Sequence, residues 1–193
     1  MNFLAHLFLS CESEELVIGN MIADFIRNKD LGDYSPDIQK GVFLHRQIDS
    51  FTDQHPVVLQ GVHRLQKRHR KYAPVVIDIL YDYVLSQNWD RYSGRSLEEF
   101  TQWIYQILEK HLSVLPEPLR HRIKGMIQGN WLMGYGTKNG LLYTLERMDE
   151  RTRFPSNFVG AWEDLHLHYE DFDREFNAFF PDVVAFVQEQ CRC

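Results

Sequence analysis

Apolar residues recur at helical spacing along almost the whole chain, and the breaks between the periodic stretches are those of helices. No turn dipeptide flanked by alternating apolar positions marks a β-hairpin. Ser13 caps a first predicted helix that runs to about Asn28. Ser35 and Pro36 open a second, through about Asp53, with proline in the first turn where its missing N–H costs nothing. A third follows Pro56, from Val57 to about Tyr72, and a fourth runs from Pro74 to about Trp89. Ser96 and Glu99 have capping-box spacing for a fifth, to about Leu112. Leu119 to about Tyr135 is a weaker sixth, because it holds Gly125 and Gly129. A seventh spans Gly140 to Arg151, a long helix runs from Ser156 to Phe179 or Phe180, and Pro181 opens a short last one. The expected fold is all-α, one domain over residues 1–193, with no repeat or linker.

The chemistry shows where polar residues interrupt apolar faces. In the second helix Ile38, Val42, Leu44, Ile48 and Phe51 define the apolar side. His45 and Asp49 fall inside it, four residues apart, and project together. A hydrogen-bonded core pair and a functional pair both fit that spacing. The fourth helix, PVVIDILYDYVL, is apolar on nearly every side, and its ionisable groups apart from tyrosine are Asp78 and Asp82. Two carboxylates on one buried face repel unless one is protonated or a cation neutralises both. A divalent metal would do this, and so would an arginine from another helix. Asn20 and Asp24 share a face of the first helix, and His6 lies in the apolar N-terminal stretch, as a ligand or an ordinary core histidine. Mixed His and Asp ligation suits Mn²⁺, Fe²⁺ or Mg²⁺ better than structural zinc. Such a metal lowers the pKa of bound water and polarises a phosphoryl oxygen.

Composition narrows the class. The chain is 44% hydrophobic and 13% aromatic, enough for a packed core. A formal net charge of -6 argues against nucleic-acid or anionic-membrane binding. No apolar run approaches the ~20 residues that span a bilayer, and Met1–Leu9 lacks the basic flank of a signal peptide. The odd count of cysteines, Cys11, Cys191 and Cys193, points to thiols in a reducing cytoplasm.

The segments MNFLAHLFLS, GNMIADFIR and GVFLHRQIDSFTD, the Asp78–Asp82 helix with Trp89, and WEDLHLHYEDFDREFNAFFP follow one another in a recognisable order. In this the chain resembles the acyl carrier protein phosphodiesterases, over essentially its whole length and most weakly across residues 91–140. That family is regarded as an unusual branch of the HD phosphohydrolases, so the resemblance implies an all-helical bundle that binds divalent metal. The adjacent His-Asp pair of HD proteins is missing, since Arg46 follows His45 and the nearest carboxylate is Asp49. The implied reaction is hydrolysis of the phosphodiester that joins 4′-phosphopantetheine to a serine of holo-acyl carrier protein. Manganese is the implied metal.

Carried onto this chain, the family role falls on Asp24, His45, Asp49 and Asp78, with Asp82 as a ligand or the support of one. His6 or His168 would protonate the leaving serine. Arg46, Arg151 and Arg153 would hold phosphate oxygens. The run HRLQKRHRK, with Lys67 and Arg68 at its centre, would dock an acidic carrier protein. Two other functions stay open at this point: hydrolysis of a nucleotide or other small phosphoester, and a helical scaffold for an acidic protein in which arginines pair the buried carboxylates.

Overall fold

A computed structural model describes residues 1–153 and 156–191, and no strand occurs among them. The helices are α1 (Phe3–Phe8), α2 (Glu14–Ile22), α3 (Pro36–Gln54), α4 (Pro56–His69), α5 (Ala73–Gln87), α6 (Trp89–Tyr92), α7 (Leu97–Lys110), α8 (Glu117–Gln128), α9 (Trp131–Gly134), α10 (Lys138–Arg151), α11 (Ala161–Leu167) and α12 (Tyr169–Cys191). Short 3₁₀ segments lie at Asn28–Asp33, Arg70–Tyr72 and Phe158–Gly160. The expected all-α class holds. Ser13 and Ser35 accept the N–H of Leu16 and of Ile38 at 3.4 Å each, and the Ser96–Glu99 box is reciprocal. Each cap satisfies an N–H that the helix itself leaves unpaired.

Boundaries differ from expectation where burial overrides period. The helix expected to Asn28 stops at Ile22, because the polar run from Arg27 to Asp30 has no apolar face to bury. α1, which the apolar N-terminal stretch did not announce, buries Leu4, Ala5, His6 and Leu7. The stretch Leu119–Tyr135 breaks at Gly129 and Asn130, where Asn130 takes a left-handed φ of 48°. The long C-terminal helix is interrupted at His168, yet α12 continues straight through Pro181 instead of restarting there. Phe176, Phe179, Phe180, Val183 and Val187 form one buried stripe across that proline. Their burial outweighs the single backbone hydrogen bond that proline removes.

α5 runs through the middle of the core, with Val76, Ile77, Leu80, Tyr81, Val84 and Leu85 all inaccessible or nearly so. α2 and α3 cross beside it at Gly19 and Gly41. A Cβ on Gly19 would lie 2.5 Å from the Gly41 Cα and 2.3 Å from the Ile38 carbonyl oxygen. Only glycine permits that approach, and it brings the polar positions of both helices within reach of each other. Against the expectation of thiols, Cys11 and Cys191 are joined in a disulfide that ties the α1–α2 loop to the end of α12. Cys193 lies outside the described residues.

Candidate active site

The glycine crossing sets Asn20 and Asp24 against His45 and Asp49. His45 Nε2 is 3.4 Å from Asp24 Oδ1 and 3.2 Å from Asp49 Oδ2. α1 lays His6 over His45, with the rings stacked at a centroid distance of 3.9 Å. His6 Nε2 faces Asp49 Oδ1 at 3.0 Å, and its Nδ1 faces Asn20 Oδ1 at 3.2 Å.

A short hydrogen-bond chain determines the tautomer of His6. Ser10 Oγ donates to the His6 carbonyl, and Asn20 Nδ2 donates to Ser10 Oγ. The Asn20 carbonyl oxygen is therefore the atom turned to His6 Nδ1, which must donate the proton. Burial pushes the His6 imidazole down to about 4, so at neutral pH its Nε2 presents a lone pair to a carboxylate oxygen. A proton or a cation can join these two atoms, and the Met1 ammonium already lies 3.3 Å from the same carboxylate oxygen. Cis ligands about 2.1 Å from one ion stand about 3 Å apart, which matches the spacing seen here. Ligand atoms of His6, His45 and Asp49 all lie within 4.8 Å of one another. The donor set fits a divalent metal.

Without an ion, imidazolium and ammonium charges balance the carboxylates of the cluster, and a metal would take the place of the His45 proton. Asp49 is held far below the usual carboxylate range against its burial, by hydrogen bonds from His45 and His6. Asp24 is lowered by its bond to His45. His45 rises to about 9: burial opposes its charge, but Asp24 and Asp49 together outweigh that. The Met1 ammonium lies 3.3 Å from Asp49 and 3.2 Å from Asp78.

Asp78 and Asp82 share a helix face but not a task. Asp78 opens onto the site, and its carboxyl is pushed up by burial. Asp82 accepts the N–H of Leu4 at 2.8 Å and of Ala5 at 3.1 Å, so it caps the N-terminus of α1 and holds the helix that carries His6. Burial still pushes it up to about 7. Neither carboxylate is paired by an arginine among the described residues.

The cluster opens into a cavity of about 900 Å³. Asp24, Asp49, Asp53 and Asp78 line it beside apolar positions of α5, and α8, α9 and α10 supply the other walls. Among the expected anion-binding residues, Arg151 lines it. Arg46 and Arg153 do not, and His168 stands edge-on to Phe172 near Asp171. Lys67 and Arg68 also lie outside the cavity, and Arg68 bonds the Gly160 carbonyl and Glu163. Pattern alone does not single out Asp53, Arg122 or Arg147 as cavity residues. The spacing of Arg147 and Arg151, four apart on one helix, is the signal that was there for Arg147.

A family model described as acyl carrier protein phosphodiesterase matches residues 1–183. The chain belongs to the acyl carrier protein phosphodiesterase family. Proteins named acyl carrier protein phosphodiesterase are similar over nearly full length. One from Photorhabdus laumondii is 36% identical over 95% of this chain and 93% of its own. One from Yersinia enterocolitica is 31% identical over 98% and 99%, and one from Escherichia coli 31% over 95% and 96%. No solved structure matches the chain. Membership in this phosphodiesterase family makes the chain a phosphoric diester hydrolase. No helix among the described residues is long and apolar enough to cross a membrane.

Proposed function

We propose that this enzyme hydrolyses the phosphodiester between 4′-phosphopantetheine and a serine of holo-acyl carrier protein, with a divalent metal, Mn²⁺ first, at the His–Asp cluster. The observation that carries this reading is a buried His6–His45–Asp49 constellation, inside a cavity, in a chain matched over residues 1–183 by the family model. His6, His45 and Asp49 would hold the metal, with Asp24 and Asp78 at its edge. Bound there, it would polarise the phosphoryl group and lower the pKa of a water.

The remaining work belongs to the chain. Asn20 holds the His6 ring through Nδ1 and would leave Nε2 to serve as a ligand, in the manner of an outer hydrogen-bond partner that orients one. Asp49 bonds both imidazoles and fixes the distance between them. The apolar walls contributed by Val75, Ile79, Ile123 and Met126 limit water around the phosphoryl group and strengthen its polar contacts. Arg151 stands in that wall as a donor for phosphate oxygens. The leaving serine needs a proton; His6 would be committed to the metal and His168 lies outside the cavity, so water in the cavity would deliver it. This reading assigns the enzyme to the cytoplasm with its carrier-protein substrate.

The test is mass spectrometry of holo-acyl carrier protein after incubation with the enzyme and Mn²⁺ or with chelator. Loss of the phosphopantetheine mass with Mn²⁺ alone is the expected result. An intact carrier protein beside a metal-loaded enzyme would turn the reading toward small phosphoesters, and an enzyme that retains no metal would end it.

A further inference from the structure

The cavity has two walls of opposite charge. On one stand Asp24, Asp49, Asp53 and Asp78. On the other, Arg122 from α8 and Arg147 and Arg151 from α10 line the same space. No ion pair joins these arginines to the four carboxylates among the described residues. Arg147 pairs with Glu150 one turn away, Arg122 lies 5.3 Å over the Phe25 ring, and Arg151 has no carboxylate partner among the described residues.

The Arg151 guanidinium is repelled by the other two. Arg151 is lowered from its usual value by burial and by the charges of Arg122 and Arg147. Their convergence is not forced by helix period alone, because Arg122 comes from a different helix. Two features hold them in place. α9 and α10 meet at Gly134 and Gly140, where a Cβ on Gly140 would lie 2.1 Å from the Gly134 carbonyl oxygen. The Tyr105 hydroxyl accepts the Leu132 N–H at 2.9 Å, which ties α9 to α7. All three are exposed, so an anion entering the cavity can reach their donors and would relieve the repulsion at Arg151.

The arginine wall also reaches the catalytic end. Phe25, under Arg122, directly follows Asp24, the partner of His45. Tyr135 is within electrostatic range of both Asp82 and Arg151, and its hydroxyl accepts from Asn2 at 3.2 Å. An anion at the arginines would therefore share one cavity with the acidic cluster.

We propose that Arg122, Arg147 and Arg151 form an oxyanion subsite that receives the nonbridging oxygens of the substrate's phosphodiester. This rests on the phosphodiesterase reading and extends it to two residues, Arg122 and Arg147, and to a direction. The phosphoryl group sits between the imidazole–carboxylate cluster and three guanidiniums, with the pantetheine arm along the apolar wall. Guanidinium suits this task because its planar donors match phosphate oxygens two at a time.

The experiment compares the wild type with Arg122→Gln, Arg147→Gln, Arg151→Gln and Arg122→Lys. Isothermal titration measures affinity for free 4′-phosphopantetheine and for pantetheine, which lacks the phosphate. Steady-state kinetics measures kcat and KM on holo-acyl carrier protein. The expected result is that each Gln variant loses about tenfold in affinity for 4′-phosphopantetheine and little for pantetheine, the loss of one charge-assisted hydrogen bond. Turnover should fall mainly in kcat, with Arg122→Lys partly rescued. A rise in KM alone, with 4′-phosphopantetheine affinity unchanged, would assign the arginines to the acidic surface of the carrier protein and overturn the subsite. No change in either measure would make them ordinary surface residues and overturn it as well. A wild type that leaves the carrier protein intact, yet binds phosphate through these arginines, would sink the reaction and keep the anion subsite.

Discussion

His6 and His45 come from helices far apart in sequence, stack face to face at 3.9 Å, and both turn Nε2 to the carboxylate of Asp49. Among the described residues Asp49 is the one group that contacts both rings, so the geometry of the cluster depends on it. In Asp49→Asn one oxygen becomes a donor and the charge is lost. Retained Mn²⁺ and kcat should each fall by about 100-fold or more, with helical content unchanged by circular dichroism. Metal content by mass spectrometry checks the first effect, and a variant that keeps its Mn²⁺ would remove Asp49 from the ligand set.

The α2–α3 crossing predicts a stability effect with no polar group involved. A Cβ on Gly41 would lie 2.8 Å from the Gly19 Cα and from the Leu16 carbonyl oxygen, both of them backbone atoms that cannot swing aside. Gly41→Ala should destabilise by about 2 kcal/mol or more and lower activity together with it, since His45 and Asp49 are one and two turns further along α3. Urea unfolding measures the shift. An unchanged midpoint would mean that the helices are not in such close contact.

Asp82 should make stability depend on pH. Its folded-state pKa is raised from 3.8 to about 7 by burial, so between those values the native chain keeps a proton that the unfolded chain has lost. Its contribution to stability is therefore full below about 4, falls as pH rises toward about 7, and is level above. Asp82→Asn cannot ionise. The stability difference, variant minus wild type, should grow by on the order of a few kcal/mol from pH 4.5 to 7.5. Urea midpoints at the two pH values decide it, and a constant difference would show that Asp82 does not titrate there.

The disulfide gives a simple chemical prediction. Alkylation of unreduced, denatured protein should modify one of the three cysteines, because Cys11 and Cys191 are bonded. Closing a loop between positions 180 residues apart restricts the unfolded chain, and Cys11→Ser should cost about 2–4 kcal/mol. Three modified cysteines would mean that the bond does not form in solution.

Helix class, most helix positions and the family were legible in the chain because each depends on local information. Ser96 and Glu99 meet within one turn, and the capping box follows from their spacing. His45 and Asp49 were recognisable as a pair for the same reason. The role of His6 was not legible, because its partners Asn20 and Asp49 sit 14 and 43 residues away. Arg68 shows the same limit on a helix surface. A basic run on a helix reads as a free surface, but Gly160 and Glu163, over 90 residues on, take up its donors.

What the sequence by itself determined is the set of helices, their apolar faces, and the carboxylates and imidazoles placed on those faces, since a period of 3.6 residues fixes a side chain's direction within its own helix. Which helix each face meets was decided only by the tertiary structure. Asp78 and Asp82 have equivalent local surroundings, yet one opens to the cavity and the other caps α1. The physical reason is that a buried polar group must find its partner wherever packing brings one, and packing here turns on the approach of Gly19 to Gly41. The cavity and its arginine wall likewise exist only once α8, α9 and α10 close over α5.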